Sequence, residues 1–435
     1  MAYNNFLKRN IHQISKGGFS IIIKKIITLI KIFFSIPIYI FSIPVLICLY
    51  LIRSKYLVRF HSFNSSRIGH FAANTELYLC ERDFGINQPK VRHVDLFYAK
   101  DVCNKQLLKM WKRELKVLPS WILLPIFQIN KFLKNFIPSF NSHEVGNNAN
   151  GDRDILNLLD KSEPHLKFTP EEEIYGKECM KKFGLPNNAK FVCLLVMDST
   201  YLENSQFNIF NDWSYHDYRD GNIDRYVLAA EELAQRGYFV FRMGKKVLKP
   251  LKSSNSKIID YANSKMRSDF MDIYLGGKCT FCISAQGGFD AVPMIFRRPL
   301  VQIVVPISHF QTWCENFLVL TKHHILKNNN RKLRLSEIIS SEIARALRTK
   351  DYDLRGVQII ENSPEEIRDL VLEMLDRLEG TWKSNENDEN LQKKFWEIYN
   401  TSSLTKLSDN GKPLHGKIKA RYGTKFLREN SDWLN

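Results

Sequence analysis

The stretch from Cys282 to Pro293, CISAQGGFDAVP, has the residue types of a loop that binds phosphate. An apolar, strand-like run ends in two glycines and then leads into a segment typical of a helix start. Backbone N–H groups that become free at such a turn, together with the helix dipole, attract anions. The turn lacks the Gly-Lys-Ser/Thr of a Walker loop and the G-x-G-x-x-G spacing, so a plain structural turn is the alternative. The candidate phosphate-binding residues are Ser284, Gln286, Gly287, Gly288 and Asp290.

A second glycine follows another strand-like segment and lies between two cations. In YFVFRMGK, Arg242 comes just before the predicted carboxyl end of the strand, and Gly244 and Lys245 follow it. A guanidinium and an ammonium beside a strand-end glycine can hold a diphosphate. An ordinary basic turn is the alternative.

Asp198 ends the apolar run VCLLVMD and opens a long, polar and aromatic loop. A long loop at the carboxyl end of a buried parallel strand is the usual place for a site. Within this loop Arg219 supplies a cation, and Asp220 and Asp224 supply carboxylates. Asp269, at the start of a later helix, adds another carboxylate upstream of the glycine turn. The alternative is that these charged residues only keep the loop solvated.

A polar cluster follows the first predicted strand, where the next helix begins. Arg67, Gly69, His70 and Asn74 occur within this short stretch, RIGHFAAN. Glycine permits a tight backbone, and the free N–H groups of a helix start favour an anion or a polar substrate. A histidine there is a suitable base near neutral pH. A plain strand-to-helix turn is the alternative.

These residues need elements that bring them to common edges of a sheet. Strand-like segments at 56–62, 91–99 and 189–199 alternate with helical segments, and more strands follow. Thr169 and Ser363 are expected to cap two of the helices. Strands that alternate with helices predict an α/β fold with parallel sheets.

The charge of the chain is strongly basic and unevenly distributed. The 435 residues carry a formal charge of +17, and the first 75 include no Asp or Glu. Such a chain suits anionic lipid or phosphate-carrying substrates. Nucleic acid is disfavoured as a partner, because there is no zinc-finger spacing, RNP-type strand or basic heptad region.

The cysteines and one acidic pair give no indication of a metal site. Cys279 and Cys282 lie in a strand-like run, and no second pair follows at zinc spacing. The scattered cysteines therefore predict reduced thiols in the core of a cytoplasmic protein. Asp351 and Asp353 lie well past the strand-and-loop region, so we expect no metal there.

The segment 32–52 is an uncharged apolar run long enough to cross a bilayer. Basic residues flank it on both sides, so the positive-inside rule gives no orientation. Pro37 and Pro44 are expected to break a helix twice. The sequence therefore predicts a membrane-associating segment, either a kinked span or a re-entrant hairpin.

Three segments in this order resemble a family of bacterial glycosyltransferases of surface-polysaccharide biosynthesis. They are RIGHFAANTELYL, YRDGNIDRYVLAAEELAQRGYFVFRMGK and SDFMDIYLGGKCTFCISAQGGFDAVPMIFRRPLV. The DIYL…C…F…S…G run also resembles the donor-site motif of a fucosyltransferase-like group. The resemblance covers roughly residues 57–306 and the tail segment YGTKFLRENSDWL. It implies a GT-B fold, in which two Rossmann-like domains face each other across a cleft and no metal is obligatory.

The resemblance assigns residues to the two sides of that cleft. Arg67, Gly69 and His70 fall on the acceptor-side loop. The donor-side matches are Arg242, Ser284, Gly287, Gly288 and Asp290. Where the fucosyltransferase-like group has an arginine, this chain has Met197-Asp198, so Arg242 or Arg219 would have to replace it.

We therefore predict four parts along the chain. They are a basic membrane-associating segment at 1–55, an acceptor-side Rossmann-like domain at 56–180, a donor domain at 181–380 and a tail at 381–435 that packs back on the body. The leading hypothesis is a metal-independent glycosyltransferase at the cytoplasmic face of the inner membrane. It would transfer a hexosyl or deoxyhexosyl group from a nucleotide-sugar to a polysaccharide or lipid-linked acceptor, without a further cofactor.

In this hypothesis the catalytic residues are His70, Asp198 and Arg242. Asp198 or His70 would activate the acceptor hydroxyl, and Arg242 with Lys245 and the glycine amides would stabilise the leaving diphosphate. Arg219, Gly244 and Asp269 complete the donor-binding set, and Asn74 joins the acceptor side. The alternatives are a nucleotide-sugar epimerase of the same fold and a non-catalytic scaffold of a polysaccharide assembly complex.

Overall fold

Two separate parallel sheets organise this chain. The computed structural model describes residues 36–145, 153–197, 214–310 and 316–435, with isolated positions between 23 and 35. The smaller sheet has three strands and the larger has seven, and the pairings in both are parallel. The expected α/β class with parallel sheets is therefore confirmed.

The first described helix, α1, covers residues 36–52. The prediction that Pro37 and Pro44 break this segment is wrong, because the backbone is helical at both. Leu46 is fully buried in a small apolar cluster with the first strand and a later helix. This tertiary packing offsets the lost backbone hydrogen bond, which is the usual cost of an internal proline. The continuous helix also leaves no hairpin turn within residues 36–52.

No helix in the described part of the chain combines the length and the apolar character that a membrane crossing requires.

The smaller sheet has the strand order β1-β2-β3. Its strands pair in parallel, with Tyr56 opposite Arg92 and Ser62 opposite Tyr98 in the first pair. The elements of this part are β1 (Tyr56–Ser62), α2 (Ile68–Asp83), β2 (Arg92–Tyr98), α3 (Lys105–Glu114), β3 (Lys116–Val117) and α4 (Ser120–Leu133).

The larger sheet has the order β12-β9-β8-β7-β4-β5-β6. Its central strand β4 is buried at every residue, as its continuous apolar sequence predicted. The strands are β4 (Phe191–Val196), β5 (Phe239–Met243), β6 (Ile258–Ile259), β7 (Cys282–Ala285), β8 (Leu300–Val304), β9 (Phe317–Thr321) and β12 (Arg421–Tyr422). From β4 the chain steps outward to β6 and then returns to β7 on the other side. The sheet therefore has its topological switch point between β4 and β7.

Helices surround this sheet, and a short antiparallel pair of strands, β10 (His323–Leu326) and β11 (Val357–Ile360), lies outside it. Capping boxes begin α5 at Thr169 and α11 at Ser363, which confirms both predicted caps. The helices are α5 (Pro170–Lys182), α6 (Val227–Gln235), α7 (Asp269–Lys278), α8 (Ala291–Ile295), α9 (Leu335–Ile339), α10 (Thr349–Asp353), α11 (Pro364–Leu378), α12 (Glu386–Tyr399) and α13 (Thr424–Glu429).

The last part of the chain packs on the larger sheet through aromatic side chains. The rings of Phe395 in α12 and Tyr422 in β12 lie 4.3 Å apart. The Trp433 indole donates a hydrogen bond to the Leu333 carbonyl at 3.0 Å.

All seven cysteines in the described part of the chain are free thiols, as predicted, and Cys80, Cys193, Cys279 and Cys282 are buried in the core. The expected core position is wrong for Cys48, which is exposed on α1.

Candidate functional site

The carboxyl ends of the two sheets meet at a pair of glycines. Gly69 lies in the first turn of α2, which follows β1, and Gly288 lies in the turn that follows β7. A Cβ atom added to Gly69 would lie 3.0 Å from the Gly288 carbonyl oxygen and 3.1 Å from the Gly288 Cα. The two backbones are therefore in direct contact, and a side chain at position 69 would have to push them apart by a few tenths of an ångström.

Because of this contact, we expect a substitution at Gly69 to destabilise the protein more than one at Gly288. Gly69→Val is expected to lower the free energy of unfolding by about 1–3 kcal/mol, because its side chain must push the two backbones apart. Gly288→Ala is the matched control, since its Cβ would lie at an ordinary 3.4 Å from the Gly69 nitrogen. Urea unfolding of both variants measures the difference. Equal stability of the two variants would contradict the close contact.

A second contact joins the loop after β2 to the start of α7. The Asn104 side-chain amide donates to the Asp269 carbonyl at 2.9 Å, and the Lys105 N–H donates to the Asp269 carboxylate at 2.7 Å. Asn104 also caps α3 by accepting the Leu107 N–H at 2.8 Å. Asp269, a predicted donor-binding residue, thus lies where loops from both sheets meet.

The switch point between β4 and β7 is lined by the predicted glycine turn. Gln286 follows β7 with a positive φ of 53°, and its side-chain oxygen accepts the Val305 N–H at 2.9 Å. A Cβ on Gly287 would lie 2.4 Å from a Leu195 methyl group on β4, so a larger residue there would require the Leu195 side chain to move. On the other side of the switch point, the Gly221 N–H donates a hydrogen bond to the Met197 carbonyl at 2.9 Å.

Arg219 places a guanidinium at this switch point. Its Nη2 donates to the Gln286 carbonyl at 3.2 Å. Its Nε is buried, and neither a hydrogen-bond acceptor nor a carboxylate partner is found for it among the residues that the structure describes. A guanidinium with unused donors suits the oxygens of a phosphate group. Of the predicted donor-binding residues, Arg219 therefore has the geometry that best fits an anionic ligand.

Lys322 positions the segment that carries Arg219. It lies just after β9 and is 4% exposed, and its ammonium donates to the carbonyls of Tyr218 at 3.2 Å and Asp220 at 2.6 Å. Burial lowers the pKa of Lys322 to about 8, although the nearby Glu361 carboxylate, 3.8 Å away, opposes this shift. Sequence motifs missed Lys322 because it belongs to no glycine turn.

Further basic side chains lie close to Arg219 in this region. Burial holds the pKa of His309 well below its ordinary value, and the charges of Arg153, Arg219 and His415 lower it further. The Arg153 guanidinium donates to the Ser308 carbonyl at 3.2 Å. These residues come from distant parts of the sequence, and only the fold brings them together. The lowered pKa leaves His309 uncharged near neutral pH, so the positive charge here comes from Arg153 and Arg219, which suit an anion.

The rest of the glycine turn is held by side-chain hydrogen bonds. The Ser284 hydroxyl donates to the Asp290 carboxylate at 2.9 Å, and the Gln302 amide donates to the same oxygen at 3.4 Å. One 3-10 turn, Gly288–Asp290, leads into the five-residue helix α8. The predicted strand–turn–helix order is confirmed, and the helix is short.

Arg242 and its neighbours lie on the other side of β4. The Arg242 side chain is 1% exposed, and its guanidinium lies 3.6 Å from the Asp260 carboxylate after β6. Gly244 has a φ of 151°, and a Cβ there would lie 2.6 Å from a Val247 methyl group. Lys245 is exposed. The structure thus places Arg242 in a buried ion pair, and its catalytic role stays a prediction.

The predicted acceptor residues share one side of α2. Arg67 is exposed, His70 is half-buried, and Asn74 lies one turn further on. The Asn74 side-chain oxygen is buried and has no hydrogen-bond partner in the described residues. Positions three to four residues apart are neighbours on a helix, so these three residues lie on one side at the start of α2. Asp198, the other predicted base, lies outside the described residues.

One group of side chains in the described part has metal-ligand types. Ligand atoms of Glu76, Cys80 and His165 lie within 4.8 Å of one another. However, the Arg297 guanidinium lies 2.7 Å from the Glu76 carboxylate and 3.8 Å from the Cys80 sulfur. A cation from the protein already balances Glu76, so we interpret this group as a buried ion-pair network.

Several solved structures with partial similarity to this chain are glycosyltransferases. A family 9 glycosyl transferase from Veillonella parvula DSM 2008 is 11% identical, with 61% of this chain and 86% of that one covered and a TM-score of 0.39. The Escherichia coli ADP-heptose LPS heptosyltransferase II is 14% identical, with 74% and 98% covered and a TM-score of 0.38. The E. coli heptosyltransferase WaaC with ADP-2-deoxy-2-fluoro heptose is 12% identical, with 69% and 99% covered and a TM-score of 0.29.

TM-scores below 0.5 carry no weight for function. No known family profile matches the chain, and no curated protein matches its sequence.

Proposed function

We propose that this chain transfers a sugar from a nucleotide-sugar to a polysaccharide or lipid-linked acceptor in cell-envelope glycan biosynthesis. The observation that carries the proposal is the Arg219 guanidinium at the switch point between β4 and β7. It hydrogen-bonds the Gln286 carbonyl and keeps its Nε unused within the described residues. Ligands of open α/β sheets bind at such a switch point, and a diphosphate would use the spare donors.

The proposed reaction moves one glycosyl group. The bond between the anomeric carbon and the diphosphate oxygen breaks, and a new bond forms to the acceptor hydroxyl oxygen. The electron pair stays on the leaving nucleoside diphosphate, whose growing negative charge Arg219 and the Gly287 and Gly288 amides would stabilise. The hydroxyl proton would pass to His70 on α2 or to Asp198, if the reaction inverts the anomeric centre.

The acceptor would approach from the side of α2. Arg67 is exposed there, and His70, which follows Gly69 in the first turn of α2, is half-buried. The reaction in this proposal takes place at the cytoplasmic face of the inner membrane and uses neither a metal nor a cofactor.

A donor screen tests the proposal directly. We expect one nucleotide-sugar among UDP-, GDP-, CMP- and ADP-sugars to raise the Tm of the full chain, since a ligand at 100 times its Kd stabilises by about 2.7 kcal/mol. Arg219→Ala should lose this shift. Arg236→Ala is the matched control, because the Arg236 guanidinium already pairs with Asp376 at 2.5 Å.

Two outcomes would contradict the proposal. If no nucleotide-sugar shifts the Tm of the parent protein, a non-catalytic scaffold is the better explanation. If the bound nucleotide-sugar is converted to an epimer without any acceptor, the chain is an epimerase. Chromatography of the nucleotide-sugar after incubation separates these cases.

A further inference from the structure

The helix α1 is packed on one side only. Leu46 is fully buried, and it clusters with Val58 and Phe60 of β1 and Leu123 of α4. The Tyr50 ring, near the end of α1, stacks on Phe140 at 4.3 Å. This side of α1 therefore belongs to the folded body around the smaller sheet.

The opposite side of α1 is apolar and exposed. Its exposed aliphatic residues follow spacings of three and four, which place them in one stripe along the helix. They are Ile36, Ile40, Ile43, Ile47 and Leu51, and their exposure ranges from 44% at Ile43 to 70% at Leu51. A polar side would be expected on a helix that faces water, so this stripe indicates another environment.

The helix α4 extends the same apolar surface. Trp121 and Phe132 are 65% and 61% exposed, and their spacing corresponds to three helical turns. Gln128 lies between them on this side of α4, and its side chain accepts a hydrogen bond from the Tyr39 hydroxyl of α1. The exposed aromatic residues of α4 thus lie next to α1. We call the α1 stripe together with Trp121 and Phe132 the α1–α4 face.

The charges around this face are positive. The first 75 residues contain no Asp or Glu, and neither do residues 115–143, which include α4. Lys55 just after α1 and Lys131 within α4 are exposed. Aliphatic and aromatic side chains bordered by lysines are typical of surfaces that lie in the headgroup region of a membrane.

We infer that the α1–α4 face docks on a bilayer surface that contains anionic phospholipids. The α1 stripe and the two aromatic side chains enter the boundary between headgroups and acyl chains, and the lysines contact lipid phosphates. Because the other side of α1 is packed on β1 and α4, the helix lies along the surface. A lipid-linked acceptor of the proposed function would be found in the same bilayer.

Vesicle binding of the full chain tests this inference. The parent protein is expected to co-float with vesicles of phosphatidylglycerol and phosphatidylethanolamine, and to bind pure phosphatidylcholine more weakly. The double variant Ile40→Glu/Trp121→Glu should raise the apparent Kd for anionic vesicles at least about tenfold, because two carboxylates would have to enter the interface. Leu354→Glu is the matched control, since Leu354 is 72% exposed outside this face.

A second measurement covers the case in which the double variant fails to fold. Brominated lipids should quench part of the tryptophan fluorescence of the parent protein, and Trp121→Phe should remove that quenched part. The inference is overturned if the parent binds neither type of vesicle, or if Trp121→Phe leaves the quenching unchanged. It is also overturned if light scattering shows that the double variant loses a dimer while vesicle binding stays the same. Donor binding is a separate readout, so either proposal can fail alone.

Discussion

Arg219→Ala is expected to lower kcat/KM for sugar transfer by about 10²–10³-fold, the loss that follows when one preorganised donor to a developing anion is removed. The Arg219 side chain lies at the switch point between β4 and β7, where it donates a hydrogen bond to the Gln286 carbonyl. In water-poor surroundings a charged donor contributes more to the transition state than to the bound substrate. The effect should therefore appear in kcat, in addition to the weaker donor binding that the loss of the Tm shift reports. Steady-state kinetics with the donor found in the screen gives the measurement.

The stability of this variant should change little. Among the described residues Arg219 makes one hydrogen bond, to a neutral carbonyl, so its removal is expected to cost about 1 kcal/mol of unfolding free energy. Arg219→Lys should recover part of the rate, because it restores the charge without the planar fork. Arg236→Ala should leave kcat/KM within about twofold of the parent, as expected for a surface ion pair. A folded Arg219→Ala protein with parental kcat/KM would refute the proposed role.

Sequence patterns predicted the strand bounds and helix caps that depend on residues close together in the chain. The boundaries of β1 matched the strand-like run YLVRFHS, and Thr169 and Ser363 cap helices as expected. These features depend on residues within one or two turns of each other. The helix through Pro44 could not be predicted in this way, because the contacts that offset the proline come from β1 and α4.

The candidate site was predictable only in part. The glycine turn follows β7 directly, and Arg219 lies in the long segment that follows β4, so the rule for carboxyl ends of parallel strands found both. Lys322 follows β9 and His309 follows β8. They lie near the candidate site only because the strand order β9-β8-β7-β4 brings the ends of these strands together, and the sequence does not show that order. Gly69 was predicted to face a ligand, and the structure places it against the Gly288 backbone. A single sequence does not show whether a glycine allows the close approach of a ligand or of another backbone segment.

The second large effect is expected at the ion-pair network between α2 and α8. Glu76 is fully buried, and it accepts hydrogen bonds from Arg297 at 2.7 Å and from His165 at 3.1 Å. Arg297→Ala removes one of the two cations and should cost about 3–5 kcal/mol, as breaking a buried ion pair does. Arg298→Ala is the neighbouring control. It loses a hydrogen bond to the Gly277 carbonyl, so about 1 kcal/mol is expected.

The same network should make stability depend on pH in the alkaline range. Burial alone would lower the pKa of His165, but hydrogen bonds with Cys80, Glu76 and Asp83 outweigh it and raise the pKa to about 10. In the unfolded chain a histidine titrates near 6.5. The folded protein therefore holds this proton more tightly. Its contribution is complete below about pH 6.5 and is lost as the pH rises to about 10.

The test is chemical unfolding of the parent and of His165→Gln between about pH 6 and 10, a window set by the two pKa values of His165. The parent should lose stability as the pH rises, and the variant should lose less of it. Lys322 opposes the trend above about pH 8, because its folded pKa is lowered and its deprotonation favours the folded state. Parallel pH profiles of the two proteins would show that His165 does not hold its proton in the Glu76 network.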